Sequence, residues 1–214
     1  MKAYIFDLDG TLFDSMSVWD DLNNEFCAKR GIANDAEYTA AVRNMSLFES
    51  AEYTIKRYNL PDTVAELTHT WNGMTVHAYT HTVEMKPGAK AYLMSLRERG
   101  VRLAVATSLP AQLYEPALAA HGIRDWFDAV SDAEQAGAGK TKPDMYLLAA
   151  KKLGVTPADC VVFDDILAAV KSAKSIGMTV CGVYDPSSED DWDGIKNTAD
   201  FTIRDFGGLP EELL

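Results

Sequence analysis

Apolar and polar residues follow two different patterns along this chain. Short continuous runs of apolar and β-branched residues indicate strands buried on both faces, whereas apolar residues three or four apart indicate amphipathic helices. The first pattern predicts strands at residues 2–6, 101–106, 127–130, 160–163, 179–183 and 201–203. The second predicts helices at residues 89–99, 111–121, 143–153 and 167–176. From residue 86 onward, helices and strands therefore alternate.

This alternation predicts an α/β fold with a doubly wound parallel sheet and helices on both of its faces. Residues 15–82 are different, because their apolar residues keep a helical spacing and no convincing strand pattern interrupts them. Turn signals divide this stretch into several helices, at Gly31, residues 59–62 and Asn72-Gly73. We therefore expect a core domain formed by residues 1–14 and 83–214, with a helical domain, residues 15–82, inserted after the first strand.

The composition narrows the partners that this protein can have. Its 214 residues carry a net charge of −12, which argues against nucleic acid and anionic membranes because both bind a basic face. No apolar run approaches the length of a transmembrane helix, and the first strand follows Met1-Lys2 so closely that we expect no signal peptide. Of the three widely spaced cysteines, Cys160 and Cys181 fall in strand-like runs and are typical of reduced core residues. We expect a monomeric, cytoplasmic protein.

Polar residues follow three of the predicted strands, at the points where the strands end. Asp7 and Asp9 follow the first strand, Thr107-Ser108 the second and Asp164-Asp165 the fourth. Ligands of a doubly wound sheet bind beyond the carboxyl ends of its strands, so these side chains are candidates for a single site. Asp7 and Asp9 are two residues apart and can share a face, and Gly10 lets the backbone turn close to a ligand.

Four carboxylates at one site would repel one another. At an effective dielectric constant near 20, two of them about 4 Å apart cost roughly 4 kcal/mol, so either their pKa values rise or a cation compensates them. Hard carboxylate oxygens with an open face suit Mg²⁺. Lys140, in the loop before the predicted helix at residues 143–153, can supply a second positive charge. A metal ion and a lysine together would also let this acidic protein bind a phosphate group.

These candidate residues resemble the four motifs of the haloacid dehalogenase-like superfamily. Asp7-Leu8-Asp9-Gly10-Thr11, after a hydrophobic strand, resembles the first motif, and Thr107 resembles the second. Lys140, in the pattern Lys-x-x-Pro-Asp, resembles the third motif, and Asp164-Asp165 resembles the fourth. The order and spacing of the motifs match across the whole chain. The helical insertion is similar in position to the helical cap domain of the subfamily that includes β-phosphoglucomutase and phosphoglycolate phosphatase.

The resemblance implies a phosphatase for a small phosphomonoester, a sugar phosphate or similar metabolite, with Mg²⁺ as its cofactor. It implies that Asp7 attacks phosphorus and forms an aspartyl phosphate, while Asp9 exchanges protons with the leaving group and with water. It implies that Mg²⁺ is held by the Asp7 carboxylate, the Asp9 backbone carbonyl and Asp165, with Asp164 bound directly or through water. The implied phosphate-binding residues are Gly10, Thr107, Ser108 and Lys140.

The resemblance also implies that some residues near the insertion face the substrate. The candidates are Met16, Trp19, Met45, Ser46 and Leu47. In β-phosphoglucomutase-like relatives the cap carries an arginine for a second phosphate, and the comparable position here is Leu47, with Arg43 one helical turn earlier. Ile166 follows the fourth motif, where relatives often have serine or threonine. The absence of the arginine at Leu47 argues against a mutase function. Ile166 lacks the hydroxyl of those relatives, so one polar contact near the fourth motif is in doubt.

Other functions differ from a phosphatase in what becomes of the phosphoryl group. A phosphomutase would pass it from Asp7 to a second position on a sugar. A receiver-like signalling module also combines acidic residues, a threonine and a lysine on a doubly wound sheet, but the helical insertion argues against it. A dehalogenase is disfavoured because carbon–halogen cleavage needs neither an acid at Asp9 nor a Mg²⁺ site. The complete set of motif residues argues against a catalytically inactive binding protein.

Overall fold

A computed structural model describes residues 3–42 and 47–213 of the chain. The described residues up to Met16 and from Val83 onward form one compact unit, which we call the α/β unit. Ser17–Thr82 forms the second, which we call the helical unit.

The α/β unit is built on one six-stranded sheet in which every pair of neighbouring strands is parallel. The strands are Ala3–Phe6 (β1), Arg102–Thr107 (β2), Ala129–Asp132 (β3), Cys160–Asp164 (β4), Thr179–Val183 (β5) and Phe201–Ile203 (β6). Their order across the sheet is β3-β2-β1-β4-β5-β6. This topology confirms the predicted doubly wound α/β fold.

Ten α-helices are assigned among the described residues. Four lie in the helical unit: Val18–Arg30 (α1), Ala36–Val42 (α2), Leu47–Tyr58 (α3) and Val64–His81 (α4). Six lie in the α/β unit: Ala89–Glu98 (α5), Ala111–Ala120 (α6), Ala133–Ala136 (α7), Asp144–Leu153 (α8), Leu167–Ser175 (α9) and Trp192–Thr198 (α10). Short 3-10 helices occupy Arg124–Trp126, Pro157–Asp159, Pro186–Asp191 and Glu211–Leu213. None of the helices in the described part of the chain is long and apolar enough to cross a membrane.

Strand β1 is the centre of the sheet, and its two faces bury different kinds of side chain. Ala3 and Ile5 pack in the apolar cluster that includes residues of α8, α9 and α10. Tyr4 and Phe6 point the other way, where their rings contact Tyr92 of α5. Burying side chains of this size contributes roughly 1.5–3 kcal/mol each, so the strand that carries the first motif is fixed firmly.

The helical unit has an apolar core of its own. Its buried members come from all four helices and are Phe26, Cys27, Tyr38, Ala51 and Leu67. Helix α4 begins with a capping box, in which the Thr63 hydroxyl accepts from the Glu66 amide and the Glu66 carboxylate accepts from the Thr63 amide. Every regular element among the described residues of this unit is a helix, as the spacing of its apolar residues predicts.

Two predicted boundaries are wrong. The third strand begins at Ala129 instead of residue 127, because Phe127 caps the 3-10 helix Arg124–Trp126 and pairing with β2 starts two residues later. Asn72-Gly73 does not break a helix, since α4 runs through it without interruption. A glycine within a helix costs roughly 1 kcal/mol relative to alanine, and burial of α4 residues such as Leu67 and Tyr79 outweighs that penalty.

Cys160 and Cys181 agree with the prediction made for them, and Cys27 shares their environment. Cys27, Cys160 and Cys181 are all buried free thiols. Burial raises the pKa of each of these thiols, so they are uncharged residues of the two cores and not reactive thiolates.

Candidate active site

The first motif leaves the sheet through a tight turn whose geometry the sequence dictates. The Asp7 amide still donates to the Phe163 carbonyl of β4 at 3.0 Å, so Asp7 is held at the end of β1. The chain then folds back on the carbonyl of buried Leu8, which accepts from the amides of Leu12 and Phe13 at 2.9 and 2.8 Å. This turn directs the Asp7 side chain to the carboxyl edge of the sheet.

Three of the predicted acidic residues converge at this edge. Asp7, Asp164 and Asp165 are buried, and one carboxylate oxygen from each lies within 4.8 Å of the others. Lys140 joins them, with its Nζ atom 2.6 Å from Asp7 Oδ1 and 2.9 Å from Asp164 Oδ2. Strands β1 and β4 are neighbours in the sheet, and this is why residues far apart in sequence meet here. Within residues 3–42 and 47–213 no second group of this kind is found.

Hydroxyl and amide groups fix the orientation of the two adjacent carboxylates. Asp164 accepts from the Tyr146 hydroxyl at 2.9 Å and from the Ile166 amide at 3.1 Å. Asp165 accepts from the Thr11 hydroxyl at 3.1 Å and from the Ser188 hydroxyl at 3.3 Å. Both carboxylates are therefore held on each of their oxygens, which restricts their rotation.

Sequence reasoning missed two of these hydroxyl residues. Tyr146 lies in the first turn of α8, six residues after Lys140, where its spacing reads as that of an ordinary core residue. Ser188 lies in the acidic run that follows β5. The rule that ligands bind beyond strand ends could have pointed to this segment, since β5 ends at the same edge as β4.

The charges of this cluster are not balanced by the protein alone. Burial, and then the neighbouring Asp164, raise the pKa of Asp165 to about 7, although Lys140 opposes the rise. Burial also raises the pKa of Asp7 well above its ordinary value. Burial alone would lower the pKa of Lys140, but Asp164 and Asp7 outweigh it and raise that pKa, so the lysine stays protonated. One lysine thus faces three carboxylates.

The donor set fits a hard divalent cation. Asp7 Oδ2 is buried without a hydrogen-bond partner among the described residues, while Asp7 Oδ1 is paired with Lys140. A buried carboxylate oxygen left unpaired is unfavourable unless a cation binds it. Carboxylate oxygens from three residues are the ligands that Mg²⁺ and similar ions prefer.

Asp9 occupies a different position from the three clustered acids. Its carboxylate is half-buried, accepts from the Ser15 hydroxyl at 2.6 Å and is not a member of the group of three. That hydrogen bond orients the side chain, as a proton-transferring group requires. The predicted contact of the Asp9 backbone carbonyl with a metal ion stays a prediction.

The predicted phosphate-binding residues lie at the ends of β1 and β2. Thr107 is fully buried, and its hydroxyl accepts from the Leu109 amide at 3.1 Å, which leaves the hydroxyl hydrogen to be donated elsewhere. Ser108 is exposed. The Gly10 amide donates to the Phe13 carbonyl at 3.0 Å, so it is engaged within the turn. Contacts of these residues with phosphate stay predictions.

Gly10 has a steric role that the structure makes specific. It adopts a φ of +72°, and a Cβ atom built on it would lie 2.4 Å from Asp165 Oδ2. We expect Gly10→Ala to displace the Asp165 carboxylate and to abolish stabilisation by divalent cations, measured as the rise in melting temperature on adding the ion. The matched control is Gly137→Ala, because Gly137 has a similar φ of +66° and no atom near its Cβ position. Equal effects of the two variants would contradict this role.

The predicted substrate-facing residues are placed only in part. Met16 is half-buried, and Trp19 is an exposed residue of α1. Met45 and Ser46 lie outside the described residues. Leu47 begins α3, and its side chain lies outside the described set. Contact of any of them with a substrate stays a prediction.

Comparison with known proteins identifies the family. The chain matches the family model of haloacid dehalogenase-like hydrolases over residues 1–177. It is 30% identical to hexitol phosphatase A of Escherichia coli over 188 residues, which covers 87% of this chain and 84% of that protein. It is 28% identical over 183 residues to a bifunctional riboflavin kinase/FMN phosphatase of Arabidopsis thaliana, which covers 85% of this chain but about half, 48%, of that protein.

Solved structures agree with the fold. The crystal structure of β-phosphoglucomutase from Clostridium difficile superposes with a TM-score of 0.71 at 22% identity, covering 99% of this chain and 94% of that one. The match to the family model extends from the first motif to beyond Asp164-Asp165, so it includes every core motif that the sequence analysis singled out. This chain therefore belongs to the haloacid dehalogenase-like hydrolase family.

Proposed function

We propose that this protein is a Mg²⁺-dependent phosphatase that hydrolyses small phosphomonoesters through a phosphorylated Asp7. The proposal rests mainly on the surroundings of the two oxygens of the Asp7 carboxylate. One of its oxygens is paired with Lys140, and the other is buried and unpaired beside Asp164 and Asp165. A nucleophilic carboxylate must be ionised and fixed, and Lys140 favours both conditions. Membership of the hydrolase family makes phosphoryl transfer to water the expected reaction.

Two steps account for the chemistry. In the first, a carboxylate oxygen of Asp7 attacks phosphorus, the ester P–O bond breaks, and the carboxyl of Asp9 protonates the leaving oxygen. In the second, Asp9 removes a proton from water as that water attacks phosphorus, and the bond between phosphorus and Asp7 breaks. The Ser15 hydroxyl, 2.6 Å from Asp9 Oδ1, holds the proton-transferring carboxyl in one orientation.

The remaining residues stabilise charge. We propose that Lys140, from the loop before α8, and the Thr107 hydroxyl and Ser108 amide, at the end of β2, donate to the oxygens of the transferring phosphoryl group. Asp7, Asp165 and the Asp9 carbonyl would hold Mg²⁺, with Asp164 bound directly or through water. When bound, Mg²⁺ supplies positive charge that offsets the carboxylates and the transferring phosphoryl group.

The substrate class is proposed from the relatives. Hexitol phosphatase A and the riboflavin kinase/FMN phosphatase are named for small phosphorylated metabolites, so we propose a sugar phosphate or a similar phosphomonoester. The likeness to β-phosphoglucomutase concerns the fold, and a mutase remains the alternative. A monomeric state, a cytoplasmic location and the lack of nucleic-acid or membrane partners also stay predictions.

A panel of phosphate esters tests this proposal. Phosphate release is measured with Mg²⁺ and with a chelator, and we expect release from at least one small ester only when Mg²⁺ is present. Sugar phosphates are also incubated with a sugar bisphosphate and analysed for isomerised product. Isomerisation without net phosphate release would show that the protein is a mutase instead of a phosphatase. Stable phosphorylation of Asp7 without turnover would instead indicate a signalling module.

The pH dependence of metal stabilisation follows from Asp165. A carboxyl whose pKa is raised by folding stabilises the metal-free fold at low pH, and this stabilisation is lost as the pH rises through the folded value. For Asp165 that value is about 7. Mg²⁺ competes with the proton, so we expect the rise in melting temperature caused by Mg²⁺ to be small near pH 5 and several degrees larger near pH 8. In Asp165→Asn the difference between pH 5 and pH 8 should become smaller but not vanish, because the pKa of Asp7 is also raised. An equal rise in the melting temperature of the native protein at both pH values would contradict the assignment.

A further inference from the structure

Lys86 is a buried cation that the proposed reaction does not use. Among the described residues two lysines are buried, Lys140 in the carboxylate cluster and Lys86, which is 7% exposed. A buried ammonium group is unfavourable unless it is paired and hydrogen-bonded. Lys86 Nζ lies 2.9 Å from Asp185 Oδ2 and donates to the Tyr184 carbonyl at 2.7 Å. This ion pair lies near the candidate active site and needs an explanation.

Asp185 shapes the turn that follows β5. It is 1% exposed, and its Oδ1 atom accepts from the Ser187 amide at 2.9 Å and from the Ser187 hydroxyl at 2.6 Å. Its backbone carbonyl accepts from the Ser188 amide at 3.0 Å. Burial alone would raise the pKa of Asp185, but hydrogen bonds from Lys86 and Ser187 outweigh it and lower that pKa. Asp185 therefore stays ionised and fixes the position of Ser188.

Ser188 connects this turn to the metal-binding candidates. Its hydroxyl donates to Asp165 Oδ2 at 3.3 Å, while the Thr11 hydroxyl donates to Asp165 Oδ1. Ile166, which follows Asp165 directly, has an apolar side chain and cannot donate a hydrogen bond to this carboxylate. The second hydroxyl on Asp165 therefore comes from a distant part of the sequence, the segment after β5.

The backbone of Lys86 is attached to the turn on the other side. Its amide donates to the Leu12 carbonyl at 2.8 Å, and Met85 forms an antiparallel bridge with Phe13. In the sheet, β4 lies between β1 and β5. Lys86 thus joins the turn after β1, through its backbone, to the turn after β5, through its side chain, and Asp165 follows the strand between them.

We propose that Lys86, Asp185 and Ser188 are positioning residues for the metal site. The ion pair anchors the turn after β5, and Ser188 holds the Asp165 carboxylate in the orientation that binds a divalent cation. This inference rests on the proposed function, since it assumes that the carboxylate cluster binds Mg²⁺. A buried ion pair is often no more stabilising than an apolar pair of similar size. Stability alone therefore does not explain the pair of Lys86 and Asp185, whereas positioning of the metal site does.

The first test isolates the hydroxyl of Ser188. We expect Ser188→Ala to weaken Mg²⁺ binding to the substrate-free protein about tenfold by titration calorimetry, the size typical of lost support around a metal ligand. Turnover should fall at limiting Mg²⁺ and recover in part as the Mg²⁺ concentration is raised. Ser188→Thr keeps a hydroxyl and should restore the affinity. Ser175→Ala is the matched control, because the Ser175 hydroxyl donates to the Ser172 carbonyl at the end of α9, outside the carboxylate cluster.

The second test separates positioning from stability. Lys86→Met leaves Asp185 buried without its counter-ion, and we expect both the melting temperature of the metal-free protein and its Mg²⁺ affinity to fall. In the double variant Lys86→Met/Asp185→Leu an apolar pair replaces the ion pair, so the melting temperature should recover while the Mg²⁺ affinity stays low. Lys174→Met, which breaks the half-exposed pair with Asp200, should leave the Mg²⁺ affinity unchanged.

The outcomes distinguish this inference from the proposed function. If the native protein hydrolyses esters with Mg²⁺ but Ser188→Ala binds Mg²⁺ as tightly as the native protein, the positioning role is wrong and the phosphatase stands. If the Mg²⁺ affinity recovers together with stability in the double variant, the ion pair is structural only. A native protein that shows no Mg²⁺ binding would overturn both.

Discussion

We expect Asp7→Asn to abolish phosphate release from every ester that the native protein proves to hydrolyse. The amide cannot attack phosphorus as a carboxylate does. Single losses of catalytic residues in a serine protease reduce turnover by about 10⁴- to 10⁶-fold, and we expect a loss of that order here. Because the cluster contains more carboxylates than lysines, we expect the variant to be at least as stable as the native protein without metal. Turnover is measured as phosphate release at saturating Mg²⁺, and stability as the melting temperature with a chelator.

Asp132→Asn is the matched control for this variant. Asp132 is also a buried aspartate at the carboxyl end of a strand, but it accepts from the Tyr114 hydroxyl and the Gln135 amide and lies outside the carboxylate cluster. It should keep Mg²⁺-dependent turnover. Near-normal turnover in Asp7→Asn would show that Asp7 is not the nucleophile, and the proposed mechanism would fail with it.

Patterns along the sequence could predict this site because its main residues sit where strands end. Asp7, Thr107 and Asp164 each close a buried apolar run, and parallel strands bring their carboxyl ends to one edge. The location of Lys140 followed from its motif, and its ion pairs with Asp7 and Asp164 agree with the predicted compensation of charge. The sequence therefore predicts those site residues whose positions are determined by the strand topology.

The residues that sequence could not supply are those that only packing brings together. Tyr146 reaches Asp164 from a helix face that looks purely apolar in sequence, and Ser188 reaches Asp165 from an acidic run typical of a solvated surface. Gly73 shows the same limit in the fold, since tertiary burial of α4 overrides a local turn signal. Lys86 likewise meets its partners only through packing, since Tyr184 is 98 residues away from it in sequence.

Lys140→Met should have the second largest effect, because it removes the counter-ion of two buried carboxylates. Lys140 is 8% exposed, and its partners Asp7 and Asp164 are 2% and 0% exposed, so solvent screens this pairing little. Removing one partner from a buried ion pair typically destabilises a protein by about 3–5 kcal/mol. Loss of a donor that stabilises developing charge should reduce turnover by roughly 10²–10³-fold or more. Urea denaturation with a chelator measures the first effect, and phosphate release with Mg²⁺ measures the second.

Two further variants separate the loss of stability in Lys140→Met from its loss of turnover. Lys140→Met/Asp164→Asn removes one of the unpaired carboxylates, so the free energy of unfolding should recover in part, whereas turnover should not, because Asp7 still lacks its lysine. Lys142→Met tests the neighbouring lysine of the same loop, which is exposed, and it should resemble the native protein in both measurements. If Lys142→Met lost activity while Lys140→Met kept it, the ammonium group that assists phosphoryl transfer would belong to Lys142. If Lys140→Met unfolded at the native urea concentration, the cluster would already be neutralised by protons, and Asp7 could not be an ionised nucleophile before metal binds.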